Sequence, residues 1–169
     1  MFFFIGYYCL ISRSQWGASS PVGQAELARA VEYVFIRDTI GEACFTQISC
    51  SALVKSIQDQ HMNTFGWYDI GYNFLIGEDG YVYEGRGWNT IGGHTMGYNS
   101  KSVGIGMIGS FRTRVPSSEA LNTLAALIAD GVMMGKIRSN YTLRAENEIN
   151  NADCHAKALC DLIRASPHY

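Results

Sequence analysis

Apolar and polar positions alternate with two different periods along this chain, and the change of period predicts where strands give way to helices. Val31–Ile36 (Val-Glu-Tyr-Val-Phe-Ile) is rich in β-branched and aromatic residues and runs into charged Arg37-Asp38, which predicts a buried strand reaching the surface. Leu53, Val54, Ile57 and His61 recur at helical spacing, with Ser51 as the expected cap. Tyr72–Ile76 and Tyr81–Tyr83 flank Gly77-Glu78-Asp79-Gly80, which predicts a β-hairpin whose turn uses glycine's access to positive φ. Between Gly85 and Gly97 five glycines interleave with Arg86, Trp88 and His94, too punctuated for a regular element and therefore a loop.

Ser102–Ile108 reads as a strand on which Gly104 and Gly106 leave one face bare for close packing. Pro116-Ser117-Ser118-Glu119 opens a helix carrying an apolar stripe of Leu121, Leu124, Ala125, Ile128 and Val132, ended by Gly135. A last helix, with Ala158, Leu159, Leu162 and Ile163 inward, stops before Pro167. Strands and helices in this order predict an α/β domain: a central mixed sheet with helices on its faces. Residues 1–10 stand apart, as either an aromatic strand buried against the domain or the remnant of a targeting segment, and residues 11–169 form the domain.

Composition narrows the function classes. At 169 residues, 47% hydrophobic and 17% charged, the chain fits one folded domain with a sizeable core. Its net charge of −2 and lack of a Lys/Arg block argue against nucleic acid as a partner. The apolar start, Met1–Ile11, is shorter than the ~20 residues needed to span a bilayer.

Cys44 and Cys50 lie six positions apart in an expected loop, close enough to pair, which favours an oxidising compartment; two free buried thiols are the alternative. Of Cys9, Cys154 and Cys160, the favoured second pairing is Cys154 with Cys160. No two of the four histidines (His61, His94, His155, His168) have the i, i+3 or i, i+4 spacing of metal ligands on one helix face. One sequon, Asn140-Tyr141-Thr142, is compatible with glycosylation of a secreted protein.

The run Gly66-Trp67-Tyr68-Asp69-Ile70-Gly71-Tyr72-Asn73-Phe74-Leu75-Ile76-Gly77-Glu78-Asp79-Gly80, with Val82-Tyr83-Glu84-Gly85-Arg86-Gly87-Trp88-Asn89, strongly resembles the peptidoglycan recognition proteins. The likeness extends through Ser12-Arg13, Trp16-Gly17-Ala18, Cys44 and Cys50, His94-Thr95, Tyr98-Asn99-Ser100 and Ser102–Ile105 to Pro167-His168. It implies a fold shared with zinc N-acetylmuramoyl-L-alanine amidases: a mixed sheet, about three main helices and a groove for cell-wall glycan and stem peptide.

Enzymatic relatives bind zinc through two His and one Cys, and those positions here are Arg37, Glu146 and Cys154. Zinc needs neutral imidazole or thiolate lone pairs, whereas a guanidinium has none and repels a dication. The resemblance therefore implies a degenerate metal site, no zinc cofactor and no amidase activity. Ala152 stands where many amidases have an assisting threonine, and Tyr72, at the catalytic tyrosine position, is read as a binding or packing residue.

The resemblance also assigns Thr39, Gly66, Trp67, Tyr72, Arg86, His94 and Asn99 to ligand contact. Gly66, Trp67 and Arg86 imply preference for diaminopimelate-type stem peptides, because Arg can grip the additional carboxylate bidentately. The expected protein is a secreted innate immune domain that binds bacterial peptidoglycan. Its alternatives are an amidase with an altered metal site and a regulatory domain that pairs with another peptidoglycan recognition protein.

Overall fold

The computed structural model describes residues 7–145, 149 and 154–169. Among them, six strands form one mixed sheet in the order β1-β4-β3-β5-β2-β6. These are β1 (Cys9–Ile11), β2 (Val31–Asp38), β3 (Phe74–Ile76), β4 (Tyr81–Glu84), β5 (Ser102–Met107) and β6 (Ile137–Ala145). Only β3 and β4 pair antiparallel, joined by the expected glycine turn, in which Gly80 takes φ +75°. The other ladders are parallel.

Helices cover both faces of the sheet. Val34 and Ile36 of β2, Phe74 and Ile76 of β3 and Val103, Ile105 and Met107 of β5 pack beneath α3 (Ser118–Met133) and α4 (Lys157–Arg164). Leu75 and Tyr83 face the opposite way, under the single-turn α1 (Arg13–Trp16) and α2 (Gln47–Asp59). The period of two along each strand thus separates two apolar layers. On β5 the second face carries only glycines and Ser102, so that side of the sheet is open beyond the edge of α2.

Several elements differ from the sequence-based expectation. Helix α2 starts before Ser51, because Thr46 caps it: the Thr46 hydroxyl accepts from the Ser49 N–H while the Ser49 side chain bonds the Thr46 backbone. Past Asp59 the chain widens into a π-type turn, Gln60–Thr64, that carries His61. Leu162 lies outward and Cys160 inward on α4. On α3 the buried set is Ala120, Thr123, Leu124, Leu127, Ile128 and Gly131, leaving Ala125 exposed. Strand β6 was not expected, since Arg138-Ser139-Asn140 interrupts its apolar alternation. In β1, Cys9 and Leu10 are exposed while Ile11 is buried in the layer under α1 and α2.

Cys44 and Cys50 form a disulfide between the loop after β2 and the first turns of α2, with both residues buried. Cys154 and Cys160 form a second one across the start of α4. Cys9 is a free, exposed thiol.

Candidate functional site

The open side of the sheet holds two adjoining cavities of about 300 and 760 Å³, which share Arg37, Trp67, Gly93 and His94 as walls. Strand β2 delivers Arg37, and Thr39 follows directly; the π-type turn supplies His61. The stretch before β3 places Gly66, Trp67 and Tyr72, while the glycine-rich loop after β4 places Arg86 and His94. Asn99 closes the larger cavity. All seven residues assigned to ligand contact from the sequence, Thr39, Gly66, Trp67, Tyr72, Arg86, His94 and Asn99, therefore line one groove.

The glycines that interrupt β5 make room for it. A Cβ on Gly104 would lie 2.2 Å from the His94 ring, and one on Gly106 would lie 3.3 Å from the Tyr72 ring. Gly104→Ala is accordingly expected to push His94 off the groove floor and to cost about 1–3 kcal/mol through overpacking. Thermal denaturation and the His94 ring resonances check this; an unchanged His94 environment would contradict the packing.

Hydrogen bonds fix both histidines. Asn99 Oδ1 accepts from the N–H groups of His94 (3.0 Å) and Thr95 (2.8 Å), and His94 Nδ1 lies 2.8 Å from Thr95 Oγ1. His94 Nε2 is buried without a partner among the described residues. His61 Nδ1 accepts from the Gly71 N–H at 2.9 Å, which puts the ring proton on Nε2. Burial, then the Arg86 charge, pulls His94 down to about 3. Burial, then Arg37 and Arg86, pulls His61 down to about 4 against the opposing pull of Asp69.

Both rings are thus neutral at pH 7, between two permanent cations. Because unfolded histidine titrates at about 6.5, their contribution to stability is complete above that pH and is lost as pH falls through the folded values. Stability should drop between pH 6.5 and 4, and His61→Asn, which preserves the acceptor toward Gly71, should lessen that drop. Urea titrations at pH 7 and pH 5 test it; parallel losses in both proteins would contradict the assignment.

Arg86 is both a wall and a brace. Its Nε donates to the Ile70 carbonyl (2.7 Å), Nη1 to that of Ile91 (2.9 Å) and Nη2 to that of Asp69 (3.5 Å). Three of five donors are used. Burial lowers its pKa from the usual value, with Asp69 acting in the opposite sense. Trp67 is 39% exposed, its ring 4.5 Å from that of His61, so it serves as a wall rather than as core.

Arg37 and Cys154, two of the three positions that the resemblance assigns to zinc, do not suit it. Arg37 offers no lone pair, and the Cys154 sulfur is bonded to Cys160, so it is not a thiolate. The Asp38 side chain turns to the opposite side of β2 from Arg37, where Oδ2 accepts from the Phe111 N–H at 3.1 Å. Glu146 and Ala152 lie outside the described residues. Among the described residues no cluster of three His, Cys, Asp or Glu could hold a metal.

The groove has further lining residues that sequence reasoning did not assign, His61, Ile40, Phe65 and Met96 among them. In the sequence His61 closes the helical stripe Leu53, Val54, Ile57 and His61, and the widened turn places it in the groove. Ile40 lines the smaller cavity at φ +53°, an uncommon conformation for a β-branched residue. Phe65 and Met96 stand at the mouth, 51% and 95% exposed, and only their apolar character in polar surroundings could have marked them.

This groove over a mixed sheet is the architecture of the cell-wall amidases, and residues 27–161 match the N-acetylmuramoyl-L-alanine amidase family model. Peptidoglycan-recognition protein SC2 of Drosophila simulans is 40% identical over 155 residues, covering 92% of this chain and 84% of that protein. The structure of peptidoglycan recognition protein LE in complex with tracheal cytotoxin, a monomeric diaminopimelic acid-type peptidoglycan, superimposes with a TM-score of 0.92 at 39% identity, covering 95% of each chain. A complex of the LCa and LCx ectodomains, also with tracheal cytotoxin bound, gives a TM-score of 0.91 at 37% identity, covering 95% of this chain and 97% of the matched one. The chain belongs to the peptidoglycan recognition protein family, within this amidase fold.

Proposed function

We propose that this chain is a secreted, non-catalytic receptor domain of innate immunity that holds diaminopimelate-type peptidoglycan fragments in the groove without cutting them. The observation that carries the reading is Arg37 on the groove wall, the residue that the family resemblance aligns with a zinc-ligand histidine of enzymatic members. With His61 and His94 neutral, Arg37 and Arg86 make the groove electropositive, which suits the carboxylates of a stem peptide. Trp67 offers an apolar face beside them, and the two disulfides favour an oxidising compartment.

Zinc content and muropeptide cleavage on one purified sample test the reading. Substoichiometric zinc with retained muropeptide binding supports it, and stoichiometric zinc with release of stem peptide would overturn it. Arg37→His with Glu146→His is further expected to gain little zinc affinity while Cys154 is tied to Cys160. Adding Cys160→Ser should release the thiolate and produce a measurable gain in zinc titrations.

Pairing with another recognition protein has support of its own. Ile40, Phe65, Tyr68 and Met96 expose apolar surface around the groove mouth, where a partner seated over a bound fragment would cover it. Sedimentation with each candidate partner, with and without muropeptide, distinguishes a muropeptide-dependent complex from a solitary receptor.

A further inference from the structure

We infer that Asn140 is an N-glycosylation acceptor, placed so that its glycan covers the open edge of the sheet and leaves the groove free. Its use by the native protein rests on the secreted reading above. Asn140-Tyr141-Thr142 is the only Asn-x-Ser/Thr sequence in the chain.

The backbone displays this triplet. Strand β6 is outermost in the sheet, and its ladder with β2 is irregular: Val31 pairs with Ile137, but Tyr33 pairs with Thr142. While β2 advances by two residues, β6 advances by five, so Arg138–Tyr141 bow out of the ladder. The neighbours are held at the surface. Arg138 pairs with Glu32 at 3.2 Å, and the Tyr141 ring stacks on His168 with centroids 4.0 Å apart. Asn140 between them is exposed and makes no side-chain hydrogen bond among the described residues.

A glycan there has a definite neighbourhood. From Tyr141 onward β6 is partly covered: the Tyr141 carbonyl lies 3.1 Å from His168 Nδ1, and the Leu143 N–H donates to the His168 carbonyl at 2.7 Å. Arg138–Asn140 before it are exposed, and a sheet edge left open invites strand addition unless it is blocked. The groove lies further along: Thr142 is level with Tyr33, and Arg37 is four residues beyond Tyr33 on β2, roughly 13 Å away at the rise of a strand.

The chemistry requires a lipid-linked pyrophosphate oligosaccharide and its transferase. Asn140 Nδ2 forms the bond to the anomeric carbon as the anomeric C–O bond to the pyrophosphate breaks. The bonding electron pair leaves with the lipid pyrophosphate, and one amide proton passes to a base of the transferase.

The test is to secrete the full chain from eukaryotic cells behind a supplied signal sequence, beside Asn140→Gln, Thr142→Ala and Thr142→Ser, followed by intact mass before and after peptide N-glycosidase. Supplying the signal separates acceptor competence from the reading that the native protein is secreted. The expected result is a single glycan step on the wild type and on Thr142→Ser, removed by the enzyme with Asn140 converted to Asp, and absent from the other two variants. Wild-type protein recovered from the medium with the Cys44–Cys50 disulfide intact and at its unmodified mass would overturn the inference.

Discussion

Arg86→Ala should weaken diaminopimelate muropeptides at least tenfold more than lysine muropeptides. Three donors of the guanidinium brace the carbonyls of Ile70, Ile91 and Asp69, and the remaining two are available for a carboxylate. The variant therefore loses two things. Loss of the brace leaves loop carbonyls short of donors and weakens both ligands alike. Loss of the charge-assisted pair, worth roughly 1.5–3 kcal/mol, falls only on the ligand with the additional carboxylate. Arg86→Lys keeps a point charge without the fork and should lie between. Calorimetric titration of both muropeptides separates the two parts, and equal losses would make Arg86 a loop brace with no share in selectivity.

Asp69→Ala should cost about 3 kcal/mol of stability. Asp69 is 4% exposed, and its carboxylate collects Arg13 through both Nη1 (2.9 Å) and Nη2 (3.1 Å), Gln58 Nε2 (2.8 Å) and the Ile70 N–H (2.8 Å). Removing one partner of a buried pair strands the other charge, which typically costs about 3–5 kcal/mol. The Arg13 side chain is 24% exposed and regains some water, which favours the low end of that range. In a domain of this size the loss corresponds to a Tm lower by roughly 6–12 °C. Asp69 also anchors Ile70, whose carbonyl receives Arg86, so muropeptide binding should weaken as well. A loss below about 1 kcal/mol in chemical denaturation would show that this network is not a support of the groove.

The parts of the fold that were legible in the sequence are those whose signals are local. Val31–Ile36, the glycine turn at Gly77–Gly80 and the start of α3 at Ser117 each announce themselves through neighbouring residues, and each stands where expected. Strand β6 could not be read this way, because its middle bows out of the ladder and is exposed. The cap of α2 was misplaced because both Thr46 and Ser51 are competent caps. Only the reciprocal bonding with Ser49 and the tie from Cys44 to Cys50 choose between them.

The groove shows the same division. Gly104 and Gly106 announced a bare face on β5, and that face is where His94 and Tyr72 pack. Trp67, Arg86 and His94 carried the family resemblance and do line the groove. Nothing along the chain indicated that Arg86 spends three donors on carbonyls, since Ile70 and Ile91 approach it only through the folded loops. Cys154 shows the reverse case: its position in the chain suggested a metal ligand, whereas in the fold its sulfur is bonded to Cys160.

On the proposed reading the groove binds peptidoglycan fragments and leaves them whole. Its most direct test is mass spectrometry of a diaminopimelate muropeptide recovered from the purified protein after incubation with added zinc. Recovery of the intact muropeptide, bound and uncut at the lactyl amide, is the predicted result. Recovery of separated glycan and stem peptide would contradict it.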